Sequence, residues 1–78
     1  MMISPNIYYE TTMKGKSRED HLEEIRRVEA DIRELEEVIS RPGYMPSMFP
    51  DERTVLEWNR EYLAILKKES GNEEVQDR

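Results

Sequence analysis

The residues best placed to do chemistry in this 78-residue chain are Tyr8 and Tyr9, followed at short range by the run Lys14-Gly15-Lys16-Ser17-Arg18. Ser17 reads as the start of a helix, and the unpaired N–H groups of a helix start favour an anion. Basic side chains just ahead of that start, with two tyrosines able to stack a base, form a candidate pocket for a nucleotide or a phosphorylated signal. Tyr8, Tyr9, Lys14, Lys16 and Arg18 are the candidate ligand contacts. The structural alternative is plainer: the tyrosines pack a short helix onto the rest of the molecule while the lysines solvate a connection.

Other patterns argue against chemistry. Gly15-Lys16-Ser17 has the ending of a phosphate-binding loop, but the earlier glycine of that motif would fall at Glu10, and no strand precedes it. The backbone cradle cannot form from this spacing. His21 is the single histidine; di-iron bundles need a Glu-x-x-His step, and the position three residues before it is Arg18. It reads as a partly buried residue at the end of a helix seam. The abundant carboxylates lie along helix surfaces, where they are solvated rather than paired in a cleft for proton transfer. No enzyme active site, cofactor or metal is expected.

Composition restricts the partners. A chain this short makes one domain at most and buries little apolar surface as a lone monomer, so self-association is expected. It has no cysteine, which removes disulfides and thiolate metal sites as sources of stability. With 18 acidic against 12 basic residues and a net charge of −6, the chain as a whole should be repelled by phosphate backbones. The start Met-Met-Ile-Ser-Pro lacks a basic leader and a long apolar run, so a cytoplasmic protein without a membrane segment is expected.

The elements that must position these residues are helical. Ser4-Pro5 is a helix-start signal and Gly15 a stop, which predicts a short helix over residues 5–14 presenting Ile7, Tyr8, Tyr9 and Met13. Ser17 with Asp20 resembles a capping box and opens a long helix over about 18–40. In that helix Ile25, Val28, Ile32, Leu35 and Ile39 fill successive a and d positions as one narrow seam, with His21 on the next d position. Glu23 with Arg27, Glu29 with Arg33, and Glu37 with Arg41 stand in the favourable i,i+4 order. Glu24, Asp31, Glu29 and Glu36 flank the seam, so a parallel in-register dimer would set acid against acid.

Pro42, Gly43, Pro46 and Pro50 end the helix and make a loop whose Tyr44, Met45, Met48 and Phe49 need apolar cover. A second long helix is predicted over about 51–69, followed by a mobile polar tail from Gly71 to Arg78. Its Val55, Leu56, Trp58, Tyr62, Leu63, Ile65 and Leu66 spread over roughly half the circumference, wider than one partner helix covers. The expected fold is all-α: an antiparallel helical hairpin (17–70) with a short N-terminal helix and connection (1–16), assembling into a four-helix or larger bundle. Ile25, Val28, Ile32, Leu35, Ile39, Val55, Trp58, Tyr62, Ile65 and Leu66 are the expected oligomer interface.

The segment from Met13 to Ile25 resembles the opening helix of some helix-turn-helix regulators, but a DNA-reading version needs a turn after Ile25, where this seam runs on to Ile39. A closer resemblance rests on Ile3-Ser4-Pro5, Ile7-Tyr8-Tyr9-Glu10 and Lys14-Gly15-Lys16-Ser17 ahead of a long charged helix and a proline-containing loop. This pattern is similar to small helical proteins of phages and integrative elements of gut Firmicutes. The resemblance implies a mobile-element origin and carries over no activity and no site residues. The expected role is a non-enzymatic homo-oligomeric accessory protein acting by binding itself and a protein target. The alternatives are a counter-defence protein that sequesters a nucleotide signal or blocks an immune effector, and a transcriptional regulator.

Overall fold

Each helix begins where a short polar side chain satisfies the orphan N–H groups of a first turn. In the computed structural model, which describes residues 3–47 and 49–76 but not the side chains of 72–76, the Ser4 hydroxyl accepts the Ile7 N–H at 3.2 Å and Pro5 occupies the first turn. Helix α1 runs Pro5–Thr12. Gly15, at φ +86°, takes the left-handed conformation that turns the chain. Helix α2 runs Arg18–Ser40; its cap, Ser17, accepts the Asp20 N–H at 3.1 Å, and Glu19 and Asp20 sit in the electropositive first turn. Helix α3 runs Glu52–Gln76, and Asp51 Oδ1 accepts the Thr54 N–H at 2.9 Å. The described residues form three helices and no strand.

Two boundaries differ from those the sequence predicts. α1 stops at Thr12, two residues short, because the Met13 and Lys14 N–H groups both turn back to the Tyr9 carbonyl. α3 passes through Gly71, where a stop and a mobile tail were expected, and continues to Gln76. Gly71 has no positive φ, and buried Ser70 just before it donates its hydroxyl to the Leu66 carbonyl at 2.9 Å. A glycine costs a helix only about 1 kcal/mol, which a well-packed preceding turn can offset. Met48, expected to need apolar cover, and residues 77 and 78 of the expected tail lie outside the described residues.

The core joins Tyr9 and Met13 to Ile25, Val28 and Ile32 of α2 and to Leu56, Tyr62 and Leu66 of α3. Val28, Tyr62 and Leu66 are fully buried. The seam of α2 therefore faces inward as its spacing predicts, with Leu35 and Ile39 packed at its half-buried end. α3 contacts both other helices. Tyr8 of α1 meets Trp58 and Tyr62 edge-on, with centroids 5.2 and 5.0 Å away. That is why the apolar face of α3 is so wide: α2 covers one side and α1 takes part of the width assigned above to another subunit.

Ion pairs bridge the long helices, Arg60 to Glu36 at 2.7 Å and Lys67 to Glu29 at 3.3 Å, so the pairings descend α2 as they ascend α3. Glu29 reaches across to Lys67 instead of along its own helix to Arg33, and Arg27 pairs with Glu24 and Asp31 instead of Glu23. Of the expected pairs, Glu37 with Arg41 is present at 3.4 Å. The radius of gyration is 14.3 Å, against about 11–12 Å for a compact chain of this length. The molecule is elongated, and its apolar side chains have correspondingly less interior to share.

Candidate binding site

Where α1 meets α3, an open cleft of about 360 Å³ is lined by Ile3, Tyr8, Arg27, Val55, Trp58 and Asn59. Its walls are fixed by polar ties. The Trp58 indole N–H donates to the Ile3 carbonyl at 2.7 Å, which pins the chain ahead of α1 to α3. Asn59 Nδ2 donates to the Val55 carbonyl at 2.9 Å. The rings of Trp58 and Tyr62 lie 5.3 Å apart, completing an aromatic cluster with Tyr8.

Arg27 supplies the charged edge. Its Nε and one terminal nitrogen fork onto Glu24 at 3.0 and 2.8 Å, and the other terminal nitrogen reaches Asp31 at 2.9 Å. The Tyr62 hydroxyl donates to the same Glu24 carboxylate at 2.7 Å. The Arg27 hydrogen bonds, and then the Tyr62 hydroxyl, hold the Glu24 carboxyl below its ordinary value. Burial first, and the hydrogen bond to Glu24 second, push the Tyr62 hydroxyl up, so Tyr62 stays a donor. The Arg27 side chain is 53% exposed, and its guanidinium retains N–H groups beyond those used here. With two carboxylates on one cation, however, the cluster is net acidic. Such a cleft suits an apolar group with neutral hydrogen-bond acceptors better than an anion.

Of the five ligand contacts expected from sequence, Tyr8 alone lines this cleft. Tyr9 is 8% exposed, and its hydroxyl lies 2.9 Å from Nε2 of buried His21. His21 Nδ1 is 2.9 Å from the Ser17 carbonyl, which can only accept, so Nδ1 donates that bond while Nε2 pairs with the Tyr9 hydroxyl. A ring buried this way does not stack on a ligand base. Lys14, Lys16 and Arg18 are exposed in the connection and the first turn of α2, away from the cleft lining. The structure does not bring the five together.

Among the expected interface residues, Ile25, Val28, Ile32, Tyr62 and Leu66 are buried within the single chain. Leu35, Ile39, Val55, Trp58 and Ile65 are half-buried and keep some surface for a partner.

A second polar cluster organises the connection between α2 and α3. Glu52, though buried, accepts the Tyr44 hydroxyl at 2.7 Å, the Ser47 N–H at 3.3 Å and the Ser47 hydroxyl. The Ser47 and Tyr44 hydroxyls, in that order, pull its carboxyl down to about 2. Arg53 lies over the Tyr44 ring, 5.5 Å from its centroid. The loop so held turns at Gly43 (φ +75°), contains a cis Phe49-Pro50 bond, and presents Met45 at 77% and Phe49 at 99% exposure.

Among the described residues, no group of three or more His, Asp or Glu is placed to hold a metal, and no buried side-chain polar atom lacks a partner. No helix of the described residues is long and apolar enough to cross a membrane. Sequence reasoning missed Ile3, Arg27 and Asn59 as cleft residues and Glu52 as the loop's organiser. Asn59 and Glu52 could have been found, since both fall on the apolar arc of α3, where a polar residue needs a reason. Set against family models, curated proteins and solved structures, the chain matches none.

Proposed function

We propose that this chain is a non-enzymatic homo-oligomeric accessory protein that acts by binding, with α2 and α3 working as an antiparallel helical hairpin within a four-helix or larger bundle. The observation that carries the reading is the open cleft, which sets Tyr8 and Trp58 beside the half-exposed Arg27 side chain on a helical support. The groups that would serve acid–base chemistry are engaged in structural pairs: Tyr62 and Arg27 on Glu24, Tyr44 and Ser47 on Glu52, Tyr9 on His21. Ile3, which lines the cleft, and Ile7 remain about half exposed, at 49% and 57%. The resemblance to small helical proteins of phages and integrative elements supports an accessory role on a mobile element.

Because Val28, Tyr62 and Leu66 are consumed by the chain's own core, the bundle joins through surface that stays partly open, namely Leu35, Ile39, Val55, Trp58 and Ile65. Sedimentation velocity at micromolar concentration tests this directly. A mass of two or more copies is expected. A single-copy mass would remove self-association from the proposal and leave the cleft to a foreign partner.

A further inference from the structure

We propose that Phe49 of one copy seats in the cleft of a second copy, so that loop and cleft are the two halves of one self-interface. This rests on the self-association just proposed and names its contact. Phe49 is 99% exposed, which leaves a large aromatic ring in water on the loop whose Tyr44 and Ser47 are bonded to Glu52. Single exposed hydrophobes are common, but a large aromatic is the residue type that anchors interfaces. The cleft of about 360 Å³ has room for one such ring and offers it edge contacts with Tyr8 and Trp58.

Polarity and charge agree on the occupant. Pro46 and Pro50 have no N–H, so their stretch of backbone offers more acceptors than donors. The cleft has the opposite surplus, in the further N–H groups of Arg27. Copies of a chain at net charge −6 repel one another least through uncharged surface. Residues 1–9 and 42–50 carry no charged side chain, and no other uncharged run in the chain is longer than 62–66. The first of those two segments supplies Ile3 and Tyr8 to the cleft, and the second supplies the Phe49 knob. Two reciprocal knob-and-cleft contacts about a two-fold axis would close a dimer.

The chain has no cysteine, so one can be introduced at each side of the contact. Met45→Cys protein, which keeps Phe49 and changes an exposed residue of the same loop, is mixed with a size-tagged Asn59→Cys protein, oxidised and run on a non-reducing gel. A disulfide-linked heterodimer is expected, well above that formed between Met45→Cys and Glu34→Cys on the exposed side of α2. Equal yields from the two mixtures would overturn the contact. Sedimentation of Phe49→Ser provides the second measurement, since replacing a fully exposed side chain leaves the fold intact. The dimer dissociation constant should rise at least about tenfold. If the unmodified chain self-associates and Phe49→Ser does so equally well, the docking fails while the self-association stands; if the unmodified chain is a monomer, both fail.

Discussion

Glu24 and Glu52 each accept a tyrosine hydroxyl at 2.7 Å, yet they do different work. Glu24 reaches over 38 residues of sequence to Tyr62 and is neutralised by the Arg27 fork, so it ties α2 to α3 and carries its countercharge with it. Glu52 reaches back no further than Tyr44 and Ser47, and it is satisfied by hydroxyls and one N–H. The first is a long-range tie in a packed aromatic corner. The second is a local knot that shapes a loop and leaves Phe49 outside. The contrast separates what holds the fold from what displays a surface, and it can be attacked at several strengths.

The largest effect should come at the buried end of the Glu24 tie. Tyr62→Ala empties a fully buried site beside Tyr8 and Trp58 and should cost about 3–5 kcal/mol in urea unfolding. A loss under 1 kcal/mol would mean that the corner is not the centre of the fold. Tyr62→Phe keeps the ring and removes the hydroxyl, for an expected loss of about 1–1.5 kcal/mol. The matching change at the knot, Tyr44→Phe, should leave the global transition nearly in place and speed amide exchange at Ser47. Equal thermal shifts for the two phenylalanine variants would erase the distinction between tie and knot.

Acid should separate the two carboxylates further. Glu52 is depressed to about 2 from an ordinary value of 4.5, so its contribution is complete above about pH 4.5 and is lost as pH falls towards 2. Protection of the Ser47 amide should fade across that window, and Glu52→Gln should flatten the dependence. An unchanged acid profile in Glu52→Gln would move the sensitivity to Asp51 or Glu24, whose carboxyls are also lowered.

The smallest expected changes are a pair of glycine substitutions with opposite signs. An added Cβ meets nothing within 4 Å at either Gly15 or Gly71, so backbone conformation alone decides. Gly71→Ala, inside α3, should raise stability by about 0.5–1 kcal/mol, whereas Gly15→Ala, at φ +86°, should lower it by about 1 kcal/mol. A loss at Gly71 would restore the helix stop that its residue type predicts.

Most of the fold was legible because its signals are local and periodic. Ser4, Ser17 and the Pro50-Asp51 step mark helix starts by cap chemistry, and the spacing from Ile25 to Ile39 fixes the buried face of α2. The excess width of α3 was also legible, but not its cause. Periodicity shows how much surface must be covered and cannot say whether α1 or another subunit covers it. The site was the least readable part. Tyr8 and Tyr9 look alike in sequence, but one helical step turns Tyr9 inward to His21 and leaves Tyr8 at the cleft. Counting i,i+4 steps pairs Arg27 with Glu23, and nothing in that counting shows that Glu24 is drawn to Tyr62 from another helix.

The bond from Trp58 to the Ile3 carbonyl has a practical consequence. Trp58 is the single tryptophan of the chain and stands at the joint between α1, α3 and the cleft. Its emission is therefore a built-in optical gauge of that joint: undocking of residues 3–12 should shift it to the red, and any occupant of the cleft should change it without a label.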